Sequence, residues 1–119
     1  MASNAIKVKR VYEAPSRADG KRILVERLWP RGLTKEAAHI DFWAKDVSPS
    51  PDLRKWYGHD PEKWPEFQKR YRDELKKNKA AVDALLDMIG KEPATLIYSA
   101  RDEKKNSAVL LAAYLRERV

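Results

Sequence analysis

The sequence predicts an α/β fold, a small mainly parallel sheet of about three to four strands covered by helices in a single layered domain. Three observations carry this expectation. Two short runs, Ile23-Leu24-Val25 and Thr95-Leu96-Ile97-Tyr98, are apolar without alternation, as strands buried between layers are. Apolar residues from Trp64 to Ile89 recur at helical spacing with charges between them. Strand-like and helix-like segments also interleave along the chain, and parallel strands need such crossovers.

Taken in order, Ile6 to Tyr12 alternates, with Ile6, Val8 and Tyr12 pointing one way and Lys7, Lys9 and Val11 the other, which suits a half-exposed edge strand. Pro15 and Asp19-Gly20 mark a turn before the buried strand at Ile23. That strand runs into Arg27-Leu28-Trp29-Pro30-Arg31-Gly32, where Pro30 cannot join a ladder and Gly32 admits a left-handed backbone, so the chain changes direction. Thr34 is placed to cap a short helix over Lys35 to Ala38. Ile40, Phe42, Trp43 and Val47 supply apolar contacts without a readable secondary structure.

Ser50 as N-cap, Pro51 at the first helical position and Gly58 as terminator define the next helix, with Leu53 and Trp56 inward. Asp60-Pro61 repeats the start signal, and the helical stretch through Gly90 follows. A single rod of that length would run roughly 40 Å at 1.5 Å per residue, too long for a domain of this size, so a break is expected near Asn78. After the strand at Thr95 to Tyr98 come a polar turn from Ser99 to Lys105 and a last helix, Ser107 to Arg116, apolar on nearly all sides.

At 119 residues the chain suits one hydrophobic core, so residues 1–119 are expected to form one domain with a structured core from about 5 to 116. No apolar run approaches the roughly 20 residues of a membrane span, and Met1 to Lys9 lacks the apolar stretch of a secretory signal. A cytoplasmic protein without a membrane partner is expected. Cysteine is absent, which excludes disulfides, thiol nucleophiles and cysteine-built metal sites. Lysine and arginine outnumber aspartate and glutamate by 25 to 18, a balance that favours anionic partners.

The candidate site lies where two strands end, as ligands of parallel sheets gather at carboxyl ends. Arg27 and Arg31 bracket Trp29-Pro30, and with Arg101 from the second turn they are candidates for an anion clamp, since a guanidinium fork matches phosphate or carboxylate. The amino end of the last helix, at Asn106, favours the same charge. The competing reading pairs Arg27 with Glu26 or Asp102 and leaves Arg31 solvated or stacked on Trp29. Asp102 is a candidate acid or base that competes with a role as cap of the last helix, and His59 is a candidate base that competes with a bond at a helix junction. His39 and Asp41 lack a third ligand, so no metal site is expected. The four glycines form no cofactor loop, and no cofactor is expected. Trp56 and Trp64 read as core, leaving Trp29 as the exposed aromatic.

The segments Arg27-Leu28-Trp29-Pro30-Arg31-Gly32, Leu53-Arg54-Lys55-Trp56-Tyr57-Gly58-His59-Asp60-Pro61 and Tyr98-Ser99-Ala100-Arg101-Asp102 with Asn106 resemble the YeaO-like branch of the bacterial domain-of-unknown-function family number four-eight-eight. The resemblance runs from Ile6 to Leu115 and implies an intracellular α/β domain. Longer members of that family carry cysteines and a histidine in the segment matching Ser99 to Asn106. This chain has neither there, so no thiol or metal role carries over.

The leading functional expectation is binding of a small phosphate- or carboxylate-bearing ligand by Arg27, Trp29, Arg31, Arg101 and Asn106, with hydrolase or transferase chemistry assisted by Asp102 or His59. A second reading is a nucleic-acid-binding accessory protein that uses the basic surface and Trp29. A third is a protein-interaction module docking through the exposed turn. Nothing in the sequence fixes an oligomeric state.

Overall fold

The computed structural model describes residues 6–118. The start of the chain and the expected core boundary at residue 5 lie outside the described residues. Four strands, β1 (Ile6–Arg10), β2 (Lys21–Leu24), β3 (Phe42–Trp43) and β4 (Ala94–Tyr98), form one sheet in the order β1-β4-β2-β3. Every pairing is parallel. Ile23 and Val8 flank Leu96 on either side, so the late strand β4 sits between two earlier ones.

The helices are α1 (Lys35–Ala38), α2 (Pro51–Tyr57), α3 (Trp64–Lys77), α4 (Lys79–Ile89) and α5 (Ser107–Arg116). The capping signals act where the sequence puts them. Thr34 accepts from the Ala37 N–H, Ser50 accepts from the Leu53 N–H with Pro51 opening α2, and Gly58 closes α2 in the left-handed region at φ 53°. The expected break falls at Asn78, between α3 and α4, where its side chain donates to the Asp46 carbonyl at 2.6 Å. The molecule is 35 Å along its longest axis, and the kink fits both helices within it.

The two faces of the sheet are covered unequally. On one face Ile6, Ile23, Val25, Leu96 and Tyr98 join the main core with Phe67, Tyr71 and Leu75 of α3, Val82, Leu85 and Ile89 of α4, and the apolar side of α5. The i, i+4 spacing of Phe67, Tyr71 and Leu75 places all three on the stripe that meets the sheet. Trp56 and Trp64, expected in the core, are half-buried at its rim. The opposite face carries only a small cluster, Val11, Leu24, Ala38 and Ile97, roofed by Trp29, Leu33 and Ile40.

This second face also holds a buried ion network. Asp19 accepts from Arg22 Nη1 at 2.6 Å and from Lys9 Nζ at 3.1 Å. The Arg22 guanidinium then donates to the carbonyls of Ala38 and His39, the free carboxyl end of α1. A cation at that end offsets both the helix dipole and the orphan carbonyls.

One strand expectation needs correction, and one segment without a readable structure in the sequence is now placed. Tyr12 does not share the buried side with Ile6, because β1 ends at Arg10 and the chain turns; Tyr12 is exposed while Val11 is buried. Phe42 and Trp43 form a two-residue edge strand and are also exposed. A segment this short has no period to read, and its pairing with Ile23 and Leu24 comes from tertiary context.

Candidate functional site

β2 and β4 lie side by side and point the same way, so their following loops leave the sheet together. The ladder extends one step further, with the Val25 N–H donating to the Ile97 carbonyl. Glu26 comes next. Its carboxylate accepts from the Ser99 N–H at 2.9 Å and from the Ser99 hydroxyl at 2.6 Å, locking the two loops at their roots. Its carbonyl accepts from Trp43 Nε1, which ties in the edge strand as well.

Three hollows run along this edge, and Glu26 and Arg54 line all of them. The inner hollow, about 130 Å³, opens beside Arg27, Tyr57, His59, Asn106 and Ser107. The middle one, about 500 Å³, adds Arg101 and Asp102. The outer one, about 530 Å³, is bordered by Arg10, Tyr12, Trp29, Arg31 and Arg101. The predicted arginine triad is therefore divided: Arg27 stands at one end of the trough, Arg31 and Arg101 at the other.

Arg27 is half-buried, and its Nε is buried with no hydrogen-bond partner among the described residues. It forms an ion pair with neither Glu26 nor Asp102. Those carboxylates are engaged elsewhere, Glu26 by Ser99 and Asp102 by its own turn. Arg31 and Arg101 are exposed and likewise free of ion pairs with described carboxylates.

Asp102 does not cap the last helix. Its Oδ1 accepts from the N–H groups of Lys104 and Lys105, both at 2.9 Å, and these bonds hold its carboxyl below the usual range, Lys105 contributing most. The cap is Asn106, whose Oδ1 accepts from the Val109 N–H at 2.9 Å while its Nδ2 donates to the Asp102 carbonyl at 2.8 Å. Aspartate and asparagine cap almost equally well, so the sequence does not separate them. The side-chain amide of Asn106 is thus engaged at both ends. The first N–H groups of α5, starting at Ser107, have no partner within the helix.

His59 follows Gly58 with a left-handed backbone at φ 59° and lies exposed, its ring 6.2 Å from that of Tyr57. It borders the inner and middle hollows, the second of which also meets Asp102. Tyr57 donates its hydroxyl to the Lys105 carbonyl at 3.2 Å. Burial, reinforced by the charges of Asp102 and Asp60, pushes its phenol up from the ordinary value.

Trp29 differs from expectation. It is half-buried, donates Nε1 to the Leu33 carbonyl at 2.7 Å and meets Trp43 edge-on at 5.5 Å, so it braces the turn. The exposed apolar groups nearby are Tyr12, Trp43 and Leu28, the last 67% exposed. His39 and Asp41 do not converge on a metal position: Asp41 accepts from the Arg22 N–H. Among the described residues no three histidine, aspartate or glutamate side chains gather where an ion could sit.

Sequence reasoning did not place Arg54 or Arg10 with the arginines at the strand ends, where both line the hollows. Arg54 lies on the exposed side of α2 next to the inward Leu53, which in isolation looks like solvent-facing charge. The available signal was its place between the Ser50 cap and the Gly58 stop, on a helix short enough to present its side to the strand ends.

The family model described as the inactive DUF488-N3 subclade matches residues 5–119. The chain is 40% identical over 111 residues to the uncharacterized protein YeaO of Escherichia coli, covering 93% of this chain and 96% of that one. It is also 40% identical over 113 residues to an uncharacterized protein of Mycobacterium tuberculosis, covering 95% of each. No solved structure matches.

Proposed function

The chain belongs to the DUF488 family, in its YeaO-like branch, and from that premise we propose that it binds a small phosphate- or carboxylate-bearing ligand in the trough at the ends of β2 and β4, without turning it over. The observation that carries this reading is the buried Nε of Arg27, which has no hydrogen-bond partner among the described residues, in a side chain that lines the inner hollow. A buried donor left unmet costs about 1–3 kcal/mol, and more on a charged group, so an anionic oxygen at Arg27 would be a favoured partner. The unpaired N–H groups at the start of α5 add positive potential at the same place.

Binding is favoured over catalysis for two reasons. The matching subclade is described as inactive. Asp102, the better candidate acid or base, is committed to its turn and held in the charged form, which suits an acceptor more than a proton shuttle. A nucleic-acid surface along α3 is disfavoured by its pairing, since Arg70 meets Glu66 and Arg72 meets Glu117.

The test is thermal shift and calorimetry with inorganic phosphate, sulfate and acetate at low salt. The wild type is expected to be stabilised by at least one of them, and Arg27→Ala is expected to lose the response while keeping its circular dichroism spectrum. No response in the wild type, or an undiminished one in Arg27→Ala, would refute the reading.

A further inference from the structure

Resting on the anion-binding reading, we infer that the ligand is elongated, with an anionic group at each end and hydroxyls between them, as in a sugar bisphosphate. The order of charges along the trough carries this. The inner hollow has Arg27, Arg54 and Lys105 against the single carboxylate of Glu26. The outer hollow has Arg10, Arg31, Arg54 and Arg101 against that same carboxylate. Between them the middle hollow sets Arg54 and Arg101 against both Glu26 and Asp102, so its cations and anions balance.

A ligand with one anionic group has no use for both cationic ends. One carrying a continuous run of phosphates would place charge against Asp102, which of the three hollows borders only the middle one. The two carboxylates of the middle hollow instead suit neutral donors. Each Glu26 oxygen accepts once from Ser99 and retains a second lone pair, and the turn bonds of Asp102 both fall on Oδ1, leaving Oδ2 as an acceptor. Cations, then acceptors, then cations is the complement of phosphate, hydroxyls, phosphate. Arg27 receives one end, and Arg31 with Arg101 receives the other as a bidentate pair.

Calorimetry at constant low ionic strength would compare fructose bisphosphate, phosphorylated at both ends, with fructose monophosphate and inorganic phosphate. Two linked sites are expected to make the bisphosphate bind roughly 100-fold more tightly than the monophosphate, the lower end of what bivalency supplies. Removing the outer end in the double variant Arg31→Ala, Arg101→Ala is expected to bring that ratio close to one. Both side chains are exposed, so the fold is expected to survive, and circular dichroism checks it. If inorganic phosphate binds the wild type but the ratio is already near one, or if the double variant keeps a large ratio, the two-ended ligand is wrong and simple anion binding stands. If none of the three probes binds, the two-ended phosphate ligand is wrong, and the anion-binding reading falls with it when sulfate and acetate also give no response.

Discussion

The carboxylate of Glu26 grips Ser99 twice, through its main-chain N–H and its hydroxyl, across 73 residues of chain. That clasp closes the two central strands at the end where the trough lies. Glu26→Ala is expected to lower the unfolding free energy by about 1–3 kcal/mol, the loss of a charge-assisted pair in a partly buried position. Urea titration reads it, with Glu26→Gln expected to fall between the two because its amide retains one acceptor. An unmoved midpoint in Glu26→Ala would mean that the loops are held by other contacts.

Asp19 makes acid stability a second test. Burial raises its carboxyl, but the Ser16 N–H, Lys9 and Arg22 outweigh that, and the net displacement is downward. A carboxylate held low binds its proton less readily folded than unfolded, so its contribution is complete above the ordinary value of about 3.9 and fades as pH falls through the lower folded value. Urea midpoints are expected to hold near pH 5 and drop below about pH 4. Asp19→Ala strands the buried Arg22 and is expected to cost about 3–5 kcal/mol at neutral pH. A wild-type midpoint that stays flat to pH 2.5 would contradict this account.

Two glycines offer a matched comparison. A Cβ at Gly20, at φ +63°, would lie 2.2 Å from the Pro93 carbonyl oxygen, backbone that cannot swing aside. At Gly32, φ +77°, nothing stands within 4 Å. Gly32→Ala is expected to cost about 1–2 kcal/mol, the left-handed penalty alone, and Gly20→Ala appreciably more. Equal melting temperatures for the two variants would argue against the close approach of Gly20 to Pro93.

Asn106→Ala removes the cap of α5 and the bond to the Asp102 carbonyl together. A loss of about 1–2 kcal/mol is expected in chemical denaturation. Asp102→Asn keeps an acceptor for its turn and is expected to cost less stability than Asn106→Ala, because Asp102 is not the helix cap. The reverse ranking would restore Asp102 to that role.

Much of this fold is legible because local chemistry and tertiary packing agree. Thr34, Ser50 with Pro51, and Gly58 each mark a helix end by satisfying backbone groups within a few residues, and the break at Asn78 follows from length alone. The site is less so. That Arg27, Arg31 and Arg101 lie beyond strand ends is readable from their place after strand-like runs, whereas the separation between Arg27 and the other two depends on how α2 and the Ser99 loop pack. The buried pair of Asp19 and Arg22 was hidden for a related reason. In sequence the two resemble ordinary surface charge, and only the thin covering of the second sheet face encloses them.

The strand order has a consequence for how the chain comes to be folded. β1 has β4 as its sheet neighbour, and β2 without β4 has only the two-residue β3. During synthesis the first ninety or so residues therefore emerge with helices able to form and no sheet for them to pack on. β4, Ala94 to Tyr98, must arrive before β1 has any neighbour or β2 has more than the two-residue β3, and each pairing then closes a loop of some seventy residues or more in one step. Assembly of the sheet is thus a late, near-simultaneous event, and slow for a domain so rich in helix.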